Sequence, residues 1–167
     1  MPVKQMCAHF EIPAGNELEC VDLFTLFVSF EGDRGFDANI LYNWSRRGRW
    51  KRLTMHSDYY GKRAGRAYAN VEIPLFRKAP ESAEAMFSDF AEAVRDYGLF
   101  QGDLRLEGHS LVQNAYPANT LGASAKAAAA IAALKQLGVQ TVGRQGRFDY
   151  LPTGEHVANQ VAQHLQA

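Results

Sequence analysis

The sequence predicts an α+β fold: a mostly antiparallel mixed sheet with helices packed on it and gathered late in the chain. Aromatic and β-branched runs with strand period fill residues 17–76, and helical spacing takes over from Ser82. Glycine or proline punctuates nearly every change between them. The 167 residues, 47 % hydrophobic and 22 % charged, suffice for a single domain with its own core over residues 1–167.

Residues 1–16 are polar and broken by proline, so no buried strand is expected there. Residues 17–30 carry the aromatic and branched enrichment of a buried strand, and Glu31 to Gly35 reads as the turn that ends it. Ala38, Ile40, Tyr42 and Trp44 alternate with Asn39, Leu41 and Asn43, which is strand period. Ser45-Arg46-Arg47-Gly48 is a hairpin connection, and Arg49 to His56 returns as its partner. Ala67 to Phe76 is a further strand, with Pro74 near its end. Ser82 is a good N-cap for a helix whose Met86, Phe90, Val94 and Tyr97 share one face, and Gly98 closes it. Leu104 to Gln113 reads as a strand entering Asn114-Ala115-Tyr116-Pro117. Ala123 to Leu137 is an alanine-rich helix ended by Gly138, and Val139 to Val142 a short strand. Thr153 or Gly154 opens a last helix with Val157, Val161 and Leu165 on its apolar side.

Eighteen basic residues balance eighteen acidic ones, so no overall field draws the chain to nucleic acid or to a membrane surface. No apolar run approaches membrane-spanning length. Cys7 and Cys20 are too few for a disulfide framework and lack metal-ligand spacing, which points to a reducing cytoplasm. His9, His56, His109, His156 and His164 are scattered without a carboxylate at ligand spacing, so no metal site is expected. Ser110 and Cys20 lack the neighbours a nucleophile needs, and no general acid or base stands out.

The most informative segment runs from Val142 to Thr153. Gly143 and Gly146 leave room for a flat ligand to approach the backbone, and Arg144 can hold an oxyanion by a charge-assisted bond. The N–H groups at Thr153, Gly154 and Glu155 stand at the positive end of the last helix, and His156 lies in the same turn. The plainer reading is a structural corner with a solvated arginine.

Val142-Gly143-Arg144-Gln145-Gly146-Arg147-Phe148-Asp149-Tyr150 resembles the closing Gly-Arg-x-Gly-x-Phe/Tyr-x-Tyr motif of FAD-dependent amine-oxidase-type flavoenzymes. That group includes protoporphyrinogen-oxidase-like and UDP-galactopyranose-mutase-like proteins. Asn114-Ala115-Tyr116-Pro117 and the helix from Ala123 resemble the segment that precedes the motif. The resemblance implies a substrate-domain-like sheet with one helix over residues 1–115 and a flavin-binding segment over 116–167. It also implies FAD contacts from Gly143, Arg144, Gly146, Tyr150, Thr153, Gly154 and Glu155. Tyr116, with His56 and Tyr59, is placed to line the substrate pocket; for Tyr116 the alternative is a core tyrosine at a proline-fixed strand exit.

The family opens with strand–Gly-x-Gly-x-x-Gly–helix, whose glycines admit the FAD pyrophosphate. No such fingerprint occurs among these residues. The expectation is therefore a small subunit that completes the FAD site of a separate polypeptide carrying that motif, acting on a small-molecule substrate. A split or excised domain and a relic without flavin are the alternatives. The rival class is a non-enzymatic protein-binding module of the same fold. A third reading rests on Ser45 to Arg52, a dense basic stretch that suits a phosphorylated substrate, an acidic partner or single-stranded nucleic acid. Its bland counterpart is a solvated hairpin tip with arginine stems lying over Trp44 and Trp50.

Overall fold

The computed structural model describes residues 1–151 and 153–165. In chain order the elements are α1 (Val3–His9), a 3-10 turn (Pro13–Glu17), β1 (Cys20–Arg34), β2 (Ile40–Tyr42), β3 (Arg52–Met55) and α2 (Ser57–Tyr60). They continue as β4 (Ala67–Leu75), α3 (Ala83–Asp96), β5 (Phe100–Pro117), α4 (Ala123–Gln136), α5 (Gly143–Gly146) and α6 (Gly154–Leu165). The strands form one antiparallel sheet in the order β2-β3-β4-β1-β5, the predicted α+β architecture. Two compact units are present: Asp22–Gln113, and Met1–Val21 together with Asn114–Ala167.

Within the first unit, strand alternation sorts the side chains. Phe24, Leu26, Val28 and Phe30 of β1 stand opposite Ile73, Val71, Ala69 and Ala67 of β4, and all are buried. Leu53 and Met55 of β3 continue that face, and Met86, Phe90, Ala93 and Val94 of α3 complete the same core. The intervening residues Thr25, Phe27, Ser29, Asn70 and Glu72 belong to the opposite face. α3 is capped as its sequence requires: Ser82 Oγ accepts from Ala85 N at 3.1 Å, and Gly98 follows at φ +63°.

Two expectations change in this unit. Glu31 to Arg34 does not turn away but extends β1, and β5 begins at Phe100, four residues before Leu104. The reason is a backbone crossing in which Gly32 (φ +134°) lies against Gly102 (φ +151°). A Cβ on Gly32 would stand 2.3 Å from the Gln101 carbonyl oxygen, and one on Gly102 2.2 Å from that of Glu31. Arg49 to Lys51 does not join β3 either. Asn43 instead folds 43–51 into a long loop, its Nδ2 donating to the carbonyls of Arg47 and Trp50, both at 3.0 Å. Gly48 (φ +73°) lets that loop close on α3, where a Cβ would come within 2.7 Å of Ala93 Cβ.

In the second unit, Val3, Cys7, Leu18, Ala127, Ala130 and Leu134 form the buried cluster between α1, the 3-10 turn and α4. The alanines let these backbones approach closely, and Gly15 has room for no Cβ beside Cys7. α1 was not foreseen, because a seven-residue helix with no side-chain cap buries only Val3 and Cys7. The strand expected over Val139 to Val142 does not form. Val139 N donates to Leu134 O at 3.0 Å, so these residues begin as the terminator of α4 rather than as a sheet strand. α6 forms as expected, with Val157 and Val161 half-buried and Leu165 exposed.

The crossing of Gly32 and Gly102 predicts a hierarchy of glycine substitutions. Gly102→Ala meets backbone and is expected to cost on the order of 3 kcal/mol or more in thermal or urea unfolding. Gly98→Ala, where the space for a Cβ is open, is expected to cost about 1 kcal/mol from the left-handed backbone alone.

Candidate functional site

The segment after α4 is a corner, though not of the predicted shape. Gly143 to Gly146 makes a single helical turn, α5, closed by Arg147 N donating to Gly143 O and Asp149 N to Arg144 O, each at 3.0 Å. This turn brings Arg144 and Tyr150 together with Tyr116 at the end of β5. The Arg144 guanidinium lies 5.0 Å from the Tyr116 ring centre and 4.7 Å from that of Tyr150. Arg144 Nε is buried without a hydrogen-bond partner, and among the described residues the guanidinium has no carboxylate partner.

The two glycines serve the protein's own packing. Gly143 (φ +77°) donates its N–H to Gln160 Oε1 at 2.6 Å, and a Cβ there would meet Val157 Cγ1 at 3.2 Å. Gly143 therefore seats α6 instead of opening space for a ligand. Gly146 is buried beside Thr141 at ordinary contact distance. The first turn of α6 is different. Thr153, Gly154 and Glu155 are exposed, and the space around Gly154 is open. Thr153 Oγ1 and His156 Nδ1 hydrogen-bond at 2.6 Å, which holds His156 to the helix start. Pro152, within the segment highlighted by sequence, lies outside the described residues. Two clefts of this unit, about 280 and 500 Å³, border α4; both touch Arg147 and neither touches Arg144.

The remaining predicted site residues belong to the sheet unit. His56 Nε2 pairs with Asn70 Oδ1 at 3.0 Å, and the His56 ring stacks on Tyr60 with centres 6.4 Å apart. Tyr59 is exposed and packs beside Tyr60. Sequence reasoning missed the more elaborate arrangement at the outer face of β1. Arg66 donates through Nε to Ser29 Oγ at 2.8 Å, and through Nη1 to Glu31 at 3.1 Å and Asp103 at 2.9 Å. Ser29 in turn donates to Glu107. Ser29 and Glu31, alternating with buried aromatics, were the available signal.

The basic stretch is largely neutralised from within. Arg47 pairs with Asp96, Arg49 with Glu81 and Asp89, and Arg52 with Glu72. Lys51 Nζ sits 3.5 Å above the exposed Trp44 ring, whereas Trp50 is buried edge-on against Phe90. The plainer hairpin reading thus holds for Trp44, with lysine in place of arginine. Burial raises the Cys7 thiol above its usual range, away from reactivity. Among the described residues no group of three or more His, Cys, Asp or Glu could hold a metal ion, and no helix is long and apolar enough to cross a membrane.

Solved structures share this fold, two of which illustrate it. A reduced UDP-galactopyranose mutase superposes with a TM-score of 0.73 at 17 % identity, over 89 % of this chain and 35 % of its own. A protein assigned as a protoporphyrinogen oxidase from Exiguobacterium sp. 255-15 superposes with a TM-score of 0.68 at 14 % identity, over 99 % of this chain and 40 % of its own. The chain therefore spans well under half the length of either structure. No family model and no curated protein sequence matches it.

Gly143→Ala is expected to cost about 1–2 kcal/mol in unfolding, and Gln160→Ala about 1 kcal/mol through the unpaired N–H. The Asp103 carboxyl is held below its ordinary value, first by its hydrogen bond from Arg105 and then by Arg66. A depressed folded value means that this stabilisation is present above about pH 4 and lost as pH falls through the folded value. Asp103→Asn should flatten the acid limb of a melting-temperature profile.

Proposed function

We propose that this chain supplies the substrate-domain sheet and closing flavin segment of an FAD-dependent oxidoreductase whose nucleotide-binding part is a separate polypeptide. The observation that carries this reading is the Arg144 guanidinium packed over the rings of Tyr116 and Tyr150, with an unpaired Nε, in a unit whose α6 start is open. Its support is the fold shared with the mutase and oxidase structures.

The residues fit the cofactor in part. Among the described residues Arg144 has no anionic partner, and the amides at Gly154 and Glu155 stand at the positive end of a twelve-residue helix. Gly143 does not fit, because its N–H is already used by Gln160. FAD, when bound, supplies the acceptor for a hydride taken from a C–N or C–C bond of a small molecule. This chain contributes position and field. The two tyrosine rings hold Arg144 in place, and α6 biases its end toward negative charge. Cys7 and Cys20 are thiols not joined in a disulfide, which suits a reducing cytoplasm.

The alternative is a protein-binding module of the same fold without flavin, which the Gly143–Gln160 bond favours. Co-expression with a polypeptide carrying strand–Gly-x-Gly-x-x-Gly–helix, followed by a visible spectrum of the purified complex, separates the two. The flavin reading expects a yellow complex that Arg144→Ala weakens about tenfold or more in FAD retention. A stable colourless complex supports the module.

A further inference from the structure

The two edges of the sheet are unequal. β2, at one edge, has three residues, whereas β5, at the other, has eighteen. A long unpaired edge offers its N–H and C=O groups to any further strand, and proteins normally blunt such edges with proline, lysine or brevity. Between Phe100 and Gln113 β5 contains neither proline nor lysine. Leu111 and Val112 are 37 % and 47 % exposed on it.

The backbone orientation of this edge follows from its neighbours. The Gln101 carbonyl oxygen meets Gly32, and that of Asp103 accepts from Arg66 Nη2 at 2.9 Å beside Ser29 of β1. Both are turned to the β1 side. Strand alternation then turns the amide groups of Leu104 and Leu106 outward; it breaks after Glu107, since Gly108 faces Phe27 on the polar side and His109 stacks on Phe24 of the core side. Leu104 and Leu106 are packed against the core, so their side chains leave that edge free.

Leu104-Arg105-Leu106-Glu107-Gly108 is self-complementary when read antiparallel about Leu106. Arg105 then falls opposite Glu107 of a second copy, and Glu107 opposite its Arg105. Outward-facing Leu106 forms a hydrogen-bonded pair with itself. Arg105 and Glu107 consequently occupy the closely spaced non-hydrogen-bonded pair, where opposite charges interact best. Arg105 is 61 % exposed, and its bond to Asp103 leaves guanidinium donors for a second carboxylate. Glu107 accepts from Ser29 and retains further acceptor sites.

We propose that the outer edge of β5 is a homodimer interface, in which two copies of this chain pair antiparallel about Leu106 and join their sheets. The inference uses residues 22–113 alone and stands apart from the flavin reading. Sedimentation velocity of the full chain across a broad concentration range tests it, with far-UV circular dichroism to check each variant's fold. A reversible dimer is expected. Arg105→Glu and Glu107→Arg each replace two attractive pairs with two repulsive ones and should weaken it about tenfold or more. An equimolar mixture of the two variants, and the double exchange Arg105→Glu/Glu107→Arg, should restore it. Leu106→Pro removes the outward N–H together with part of the core packing of Leu106, and should yield a monomer that still folds by circular dichroism. A chain that stays monomeric at every concentration, or a dimer indifferent to Leu106→Pro and to the charge exchange, overturns the proposal.

Discussion

The close approach of Gly32 and Gly102 is the constraint on which the sheet unit depends. Two backbones with no side chain between them set the register of β5 on β1, and both residues hold conformations that other residues adopt only under strain. Given that register, Leu104 and Leu106 pack toward the core with Phe24, Leu26 and Val28, and Glu107 comes within reach of Ser29. Arg66, from the start of β4, then spans β1 to Asp103 and ties three strands at one point. One backbone contact thereby organises both faces of the sheet: an apolar side filled by α3 and a polar side knit by Arg66.

The other unit relies on small residues for a different purpose. Gly15 and the alanines of α4 bring α1 and α4 into contact around Cys7, and Gly143 allows α5 to lie against Val157 and Gln160. What this leaves unsatisfied is informative. Arg144 is held by two aromatic faces with its Nε unpaired, a costly arrangement for a partly buried cation unless something supplies an acceptor. The same corner combines a self-satisfied glycine with an unsatisfied arginine, so the anion-binding capacity lies in the side chain and the start of α6.

Much of the fold was legible because period-two and helical patterns were strong. Phe24 to Phe30, Ala67 to Leu75 and the face of α3 each repeat long enough for local sequence to declare burial. Other stretches were not legible. α1 has too few apolar residues to show a period, and Val139 to Val142 has strand-like residues but is used to end a helix. Arg49 to Lys51 alternates like a strand, yet Asn43 and Gly48 draw it onto α3. The Glu31 to Gly35 stretch has turn composition, but its glycine serves a crossing with β5, a partner 70 residues later in the chain that local pattern cannot reveal.

For the candidate site the division is similar. Residue type and order announced an arginine beside glycines, two tyrosines and a helix start, and the alternation of β1 already separated apolar from polar positions. Those are properties of local spacing, which a chain carries before it folds. The placement of Tyr116 and Tyr150 against Arg144, the diversion of the Gly143 N–H to Gln160 and the gathering of Ser29, Arg66, Asp103 and Glu107 are of another kind. Each joins residues distant in sequence through distance and direction, quantities that exist only once the backbone has committed to its crossings.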